Sequence, residues 1–288
     1  MIIDSHLHVW QRSPGSYRWL VPEFGPLYDD FPPQRAQEEL RLAGVEGAIL
    51  VQADDTRADS RYMFDAAQHF PWVSGVVAWV PLDRPDEAAE MLGAYLDSEV
   101  FCGIRQLVHD DPRDHVYRLE SVSQTAQLLA SHGVPLDIPD AWPRDLPQVV
   151  ELARKHPDLT LVLDHMGKPP VEREQLERWS GEISALAEQV NTVVKFSGLH
   201  HPERAFTPEA VEHLWELGLE LFGPERIMVG SDWPITVTSG GYQPTWETIS
   251  HFVGSLSDDE RSAVSWRTAT RVYGHSRRLT RLTSSGDD

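Results

Sequence analysis

The chain has 288 residues and a formal net charge of −20, from 45 acidic and 25 basic side chains. An acidic balance of this size repels nucleic-acid phosphates and anionic membrane surfaces, so we expect neither as a partner. Apolar residues make up 41% of the chain, yet no run approaches the ~18 residues of a membrane span and no basic segment opens the N-terminus, so we expect a globular cytoplasmic protein.

Short apolar, β-branched runs bounded by turn residues predict eight strands along the chain. In order, they span residues 2–6, 47–51, 73–80, 101–106, 134–138, 159–164, 192–196 and 226–230. Helical periodicity and capping signals appear between them, for example at residues 85–96, 120–132, 144–156, 172–189 and 208–222.

Strands that alternate with helices form a parallel sheet, because each parallel connection needs a crossover of about a dozen residues. Eight such units predict an α/β fold of the (β/α)8, or TIM, barrel type over residues 1–275, with a polar C-terminal tail at 276–288. A doubly wound open sheet is the alternative. It is disfavoured because strand 1 runs into His-Leu-His and not into a glycine-rich phosphate-binding turn.

The first connection, residues 9–33, is long for a compact domain and rich in aromatic side chains. Long loops of this kind usually carry function. We expect at least one of its aromatics, with Trp10 and Trp19 as candidates, to line the substrate pocket. A plug for the barrel or an oligomer contact is the alternative.

Candidate ligands follow three of the predicted strands. Strand 1 ends in His6 and His8, which are two residues apart and therefore point to the same side. His165 follows the sixth strand and Asp232 the eighth. In a (β/α)8 barrel the reaction centre lies at the carboxyl ends of the strands, and zinc favours imidazole and carboxylate ligands. These four residues therefore predict a reaction or metal centre.

Other strand ends supply candidate substrate-binding residues. Arg105 could bind a substrate oxygen or pair with Asp137 or Asp164. Two of the three lysines in the chain, Lys168 and Lys195, lie at predicted mouth positions, where they would attract a hydroxyl-rich substrate or form structural ion pairs. The predicted substrate-binding set is Trp10, Trp19, Gln52, Lys168, Lys195 and Trp233.

These residues support hydrolysis of an ester, lactone or amide. Asp232 can act as the general base for water, while the histidines with a metal, or Arg105 without one, polarise the carbonyl group. A serine nucleophile is disfavoured because the sequence has no Gly-x-Ser-x-Gly elbow. Thiol catalysis is disfavoured because Cys102 has no evident partner.

Six short segments, taken in order, resemble those of one enzyme family. They are Asp-Ser-His-Leu-His-Val-Trp, Val-Gln-Ala, Gly-Ile-Arg-Gln, Leu-Asp-His-Met-Gly-Lys-Pro, Lys-Phe-Ser-Gly-Leu and Gly-Ser-Asp-Trp-Pro. From residue 2 to about residue 273 the chain is similar to the amidohydrolase superfamily, and more narrowly to its amidohydrolase-2 branch of sugar-lactone and 2-pyrone-4,6-dicarboxylate lactonases.

The resemblance implies that four residues occupy reaction-centre positions: His6, His8, His165 and Asp232. It implies a substrate-binding position for Arg105. Relatives with two metals carry a bridging lysine or glutamate after strand 4 or 5, where this chain has Arg105 and Asp137. The resemblance therefore implies at most one divalent metal, zinc. Because some members of the branch work without a metal, metal-independent hydrolysis stays open.

We expect a hydrolase that opens a sugar-acid lactone, such as an L-fucono-, L-rhamnono- or galactarolactone, with Asp232 as the general base. The alternatives are a zinc-dependent non-oxidative decarboxylase of the same branch and a non-catalytic barrel that binds a sugar acid. A small-molecule substrate is the expected partner, and the sequence leaves homo-oligomer formation open.

Overall fold

The computed structural model describes residues 1–13, 16–201 and 204–284, and its centre is a sheet of eight parallel strands. The strands are β1 (Ile3–Leu7), β2 (Gly47–Val51), β3 (Val73–Ala78), β4 (Phe101–Arg105), β5 (Leu136–Ile138), β6 (Leu161–Leu163), β7 (Thr192–Phe196) and β8 (Ile227–Val229). The eight predicted strands are all present, with ends that differ by a few residues.

Helices follow the strands along the chain. They are α1 (Pro33–Ala43), α2 (Arg57–His69), α3 (Pro85–Leu96), α4 (Glu120–Ser131), α5 (Leu146–Lys155), α6 (Arg173–Ala187), α7 (Pro208–Phe222), α8 (Tyr242–Gly254), α9 (Asp258–Ser262), α10 (Thr268–Val272) and α11 (Arg277–Ser284). None of the described helices combines the length and the apolar composition that a bilayer span requires.

Local sequence signals explain where these helices begin and end. Proline occupies the first turn of α1, α3 and α7. Backbone N–H groups in the first turn have no acceptor within the helix, so the lack of an N–H in proline costs no hydrogen bond there. Thr56 caps α2 by accepting a hydrogen bond from the backbone N–H of Asp59. Gly44 ends α1 with a φ of 69°, a left-handed conformation that glycine adopts without steric cost.

The strands pair in sequential order from β1 to β8, each parallel to the next. β1 and β8 meet through a parallel bridge between Leu7 and Trp233. The prediction of a (β/α)8 barrel is confirmed, and the doubly wound alternative is wrong because that fold reverses its strand order.

The barrel is packed on both sides of the sheet. One large apolar cluster lies between the strands and the helices. A second cluster fills the interior and includes Ile49, Val77 and Val162. Tyr273 and Leu279, from the chain after α10 and from α11, belong to this interior cluster. The C-terminal segment therefore closes one end of the barrel and leaves the opposite end for the site.

The C-terminal segment differs from the predicted polar tail that began at residue 276. Arg277–Ser284 form helix α11, and Leu279 is buried. Arg278 donates hydrogen bonds to two backbone carbonyl groups of the barrel. Only one narrow face of this short helix packs against the barrel. Most of its residues can therefore be polar although the helix is part of the folded structure. Residues 285–288 of the predicted tail lie outside the described residues.

Candidate active site

The four predicted reaction-centre residues meet at the carboxyl ends of β1, β6 and β8. The Nε2 atoms of His6 and His8 lie 3.1 Å apart. They lie 3.8 and 3.4 Å from Asp232 Oδ1, and His165 Nε2 lies 3.6 Å from the same oxygen. All four side chains are buried. The barrel thus surrounds one carboxylate oxygen with three imidazole rings.

Tight backbone turns direct His165 and Asp232 into this centre. Their φ angles are 54° and 58°, in the left-handed region that costs a non-glycine residue roughly 1–2 kcal/mol. Such conformations persist where the surrounding structure enforces them, and they cluster at functional sites. Gly198 leaves the necessary room, because a Cβ there would overlap the His165 ring and lie 2.6 Å from Asp232 Oδ2. A side chain at this glycine would displace both groups.

Burial and neighbouring groups set the charges of the centre. Burial lowers the pKa of His6 well below its ordinary value and also lowers the pKa of His165. Burial acts to raise the pKa of Asp232, but His165, His8, His6 and Lys168 together outweigh it and hold that pKa below its ordinary value. At neutral pH the centre therefore holds the ionised carboxylate of Asp232 beside the neutral rings of His6 and His165.

This donor set fits a single divalent metal ion. One ring nitrogen each from His6 and His8 and one oxygen of Asp232 lie within 4.8 Å of one another. The Nδ1 of His8 donates to the carbonyl oxygen of Val51 at 2.7 Å, so its Nε2 carries a lone pair toward the site. Neutral imidazole and carboxylate ligands are typical of zinc.

The proton on His6 decides how this centre can be used. Its Nδ1 lies 3.2 Å from Asp164 Oδ1, an acceptor that favours a proton on Nδ1 and a free lone pair on Nε2. Lys195 Nζ also lies 3.2 Å from Nδ1, and as a donor it favours the opposite tautomer, in which Nε2 donates to His8. The same residues therefore accommodate a metal ion or a direct hydrogen bond between the two rings.

A buried ion network lies beneath the centre. Lys195 Nζ donates to Asp137 Oδ2 at 2.6 Å and lies 3.0 Å from Asp164 Oδ1. Arg105 Nη1 donates to Asp164 Oδ2 at 2.9 Å. Lys195 has no exposed surface and is absent from the cavity wall. The structure therefore places it in the structural ion pair that was its alternative, and not at the substrate-binding position that we assigned to it.

A cavity of about 240 Å³ opens above the reaction centre. It is lined by His8, Trp10, Trp19, Phe24, Ala53, Arg105, Leu107, His109, Asp110, Pro139, Asp140, His165, Lys168, Asp232 and Ile235. Of the predicted substrate-binding residues, Trp10, Trp19 and Lys168 therefore reach the cavity, whereas Gln52 and Trp233 do not. Both of these side chains are buried. Gln52 donates a hydrogen bond to Asp55, and Trp233 packs edge-on against Phe31.

Hydrogen bonds hold the aromatic first connection over this cavity. Trp19 Nε1 donates to the carbonyl oxygen of Ala53 at 2.6 Å. The hydroxyl of Tyr17 donates to Asp59 Oδ1 at 2.9 Å. These contacts join the connection to the segment after β2, and three of its aromatic rings, Trp10, Trp19 and Phe24, lie on the cavity wall.

Three polar residues of the wall are absent from the predicted site: Asp110 and Asp140, and His109, which the sequence placed in a loop near the mouth as a solvated surface residue. Asp140 lies two residues beyond the last residue of β5, Ile138. The sequence signal at this strand pointed to Asp137, which is buried against Lys195 instead. Loop positions further from the strand ends would have to be considered to find such residues.

The comparison with known proteins decides the family. The sequence model of the amidohydrolase family matches residues 3–275. The chain belongs to this family. The amidohydrolase resemblance seen in the six sequence segments is thereby confirmed.

Two curated relatives of this amidohydrolase are named L-fucono-1,5-lactonase. The protein of Burkholderia ambifaria is 31% identical over 245 residues, which cover 83% of this chain and 82% of the relative. The protein of Burkholderia multivorans is 30% identical over 285 residues, covering 94% and 95%. A crystal structure of an amidohydrolase from Burkholderia multivorans with bound zinc superimposes with a TM-score of 0.86 at 26% identity, covering 95% of this chain and 99% of that one.

In this amidohydrolase, Asp4 joins the two strand ends that carry the reaction centre. Its Oδ1 accepts hydrogen bonds from the backbone N–H of His6 at 3.1 Å and of Ser231 at 2.9 Å. Its Oδ2 accepts one from the hydroxyl of Tyr242 at 3.2 Å. One buried carboxylate therefore sets the spacing between β1 and the chain after β8, and with it the spacing between His6 and Asp232.

Proposed function

We propose that this amidohydrolase opens a sugar-acid lactone of the L-fucono-1,5-lactone type by attack of water on the ring carbonyl. The observation that carries the proposal is an ionised Asp232 on the cavity wall, 3.4 to 3.8 Å from three imidazole rings. Two relatives that are 31% and 30% identical over most of the chain are named for this activity, which supports the assignment.

The residues of the chain can divide the reaction between them. A water beside Asp232 gives that carboxylate a proton while its oxygen attacks the carbonyl carbon. Negative charge then develops on the carbonyl oxygen, where the guanidinium of Arg105 supplies positive potential from the cavity wall. As the ring C–O bond breaks, Asp232 returns its proton to the departing ring oxygen, and the product is an open hydroxy acid.

A zinc ion would be held by His6, His8 and Asp232, with His165 beside them. When bound, such an ion polarises a carbonyl group and lowers the pKa of a coordinated water. Because the general base and Arg105 belong to the protein itself, we expect chelator-treated enzyme to keep at least about half of its lactone hydrolysis.

Elemental analysis of the purified and the chelated protein, with an assay of each, tests this expectation. The alternative from the sequence, a zinc-dependent decarboxylase, requires the ion. Loss of all turnover on chelation, restored by zinc, would contradict the metal-independent route, whereas lactone hydrolysis by zinc-free protein excludes decarboxylation as the main activity.

A panel of aldono-1,4- and aldono-1,5-lactones in weak buffer tests the proposed reaction directly, since each turnover releases acid. We expect hydrolysis of six-carbon neutral lactones with a kcat/KM of about 10⁴ M⁻¹s⁻¹ or more, the lower end of ordinary enzymes. Silence across the whole panel would exclude the proposal.

Asp4 offers a test of the geometry of the centre. We expect Asp4→Ala to lower kcat by about 10- to 100-fold with little change in KM, because the loss of its bonds to both strands shifts His6 against Asp232. Asp4→Asn keeps the Oδ1 acceptor and should stay within about threefold of the parent enzyme. Steady-state kinetics of both variants provide the measurement, and equal losses in the two would count against a positioning role.

A further inference from the structure

Both apolar and charged side chains line the cavity. Trp19, Phe24 and Leu107 contribute apolar surface to the lining, which suits the face of a ring. Asp140 and Lys168 contribute charged groups to the same cavity. The mechanism proposed above uses neither of these two residues.

The carboxylate of Asp140 has unused acceptor capacity. It lines the cavity and is partly shielded from solvent. Across residues 1–13, 16–201 and 204–284, none of the hydrogen bonds or ion pairs involves its oxygens. Burial acts to raise its pKa, but the neighbouring groups, with Lys168 contributing most, together outweigh this and hold the pKa below its ordinary value. Asp140 is therefore ionised at neutral pH and offers its lone pairs to whatever fills the cavity.

Lys168 complements this carboxylate with donors. Its Nζ donates one hydrogen bond, to the carbonyl oxygen of Gly198 at 2.8 Å. An ammonium group carries three N–H bonds, so two stay available for a ligand. An acceptor and a donor on one cavity wall match a hydroxyl group, which both donates and accepts.

The cations of the cavity are already balanced by carboxylates of the protein. Arg105 is paired with Asp164 at 2.9 Å. Lys168 and Asp140 attract each other: the pKa of Asp140 is lowered, with Lys168 contributing most to the lowering, although burial acts to raise it. Burial keeps His165 neutral by lowering its pKa. A substrate carboxylate would therefore meet no unbalanced cation among the described residues of the lining, and it would meet the charge of Asp140.

We propose that Asp140 determines substrate specificity by accepting hydrogen bonds from the hydroxyl groups of a neutral aldonolactone and by excluding lactones that carry a second carboxylate. The proposal rests on the lactonase function proposed above. It divides substrates into three classes: polyhydroxylated neutral lactones, unsubstituted lactones and aldarolactones.

The test compares Asp140→Asn with the parent enzyme on one substrate of each class: an aldono-1,5-lactone, δ-valerolactone and an aldarolactone. For the aldonolactone we expect kcat/KM to fall about 10- to 100-fold, mainly through KM, as for loss of a hydrogen bond to a charged group. The value for δ-valerolactone should change by less than about threefold, because that ring has no hydroxyl group. The value for the aldarolactone should rise as the repulsion is removed.

Two further variants complete the test. Asp140→Ser also removes the charge and should shift the aldono-to-aldaro ratio in the same direction. Asp114→Asn alters an exposed loop carboxylate outside the cavity and should leave the ratio unchanged. An unchanged ratio in both Asp140 variants, or an equal fall on all three substrates, would overturn the proposal. Silence of the parent enzyme on every lactone would instead overturn the lactonase function itself.

Discussion

Asp232→Asn is expected to lower kcat for lactone hydrolysis by about 10³-fold while the enzyme still binds the open acid product. An asparagine amide cannot take a proton from water, and general base catalysis is worth about 10²–10⁴-fold. Residue 232 has a φ of 58°, and asparagine is among the few residues that tolerate this left-handed conformation. The substitution therefore removes the base and keeps the turn.

Steady-state kinetics and calorimetric binding of the product acid provide the two readouts. Asp158→Asn is the matched control, because Asp158 is an exposed loop carboxylate outside the cavity and its loss should leave kcat unchanged. A variant that keeps more than about a tenth of the parent kcat would show that another group is the base. A barrel that only binds sugar acids would show no turnover in the parent protein either.

Lys195→Met is expected to destabilise the protein by about 3–5 kcal/mol, the range for breaking a buried ion pair by removing one partner. Burial acts to lower the pKa of Lys195, but Asp137 and Asp164 outweigh it and raise that pKa above its ordinary value. Methionine fills a similar volume without a charge, so two carboxylates would lose a buried cation that lies 2.6 and 3.0 Å from them.

Urea unfolding followed by tryptophan fluorescence measures this loss. Lys155→Met is the control, since the Lys155 ammonium lies 3.3 Å from Glu120 in an exposed pair and should cost less than about 1 kcal/mol. Adding Asp137→Asn to Lys195→Met should recover part of the stability, because it removes one of the stranded charges. A loss below about 1 kcal/mol for Lys195→Met would contradict a structural role for the network.

Lys168 and Lys195 were both predicted to bind substrate, and they show that a strand pattern does not determine which side chains reach the cavity. Lys168 follows β6 and reaches the cavity, whereas Lys195 lies within β7 and is buried in the ion network. Both positions lie near a strand end in the sequence. How far a side chain lies from the mouth depends on the stagger of neighbouring strands around the barrel, and a single sequence contains no signal for that stagger.

The other predicted substrate-binding residues also differ in whether their side chains point into the cavity. Trp10 and Trp19 line the cavity, while Trp233 packs against Phe31. Asp140 reaches the cavity from a loop position that the strand pattern does not single out. These outcomes depend on loop paths, and loop paths are set by contacts such as that of Tyr17 with Asp59, 42 positions apart in the chain.

From its strand pattern and motifs, the sequence predicted the barrel, the resemblance to its family and the four residues that meet at the mouth. It could do so because parallel strands all end at the same edge, so polar residues at the ends of β1, β6 and β8 must lie near one another. The folded barrel was needed to see which of the other polar groups line the cavity, which form buried ion pairs, and how His6 is placed between Asp164 and Lys195. Those choices depend on strand stagger and on left-handed turns at His165 and Asp232, which long-range packing enforces and local sequence does not specify.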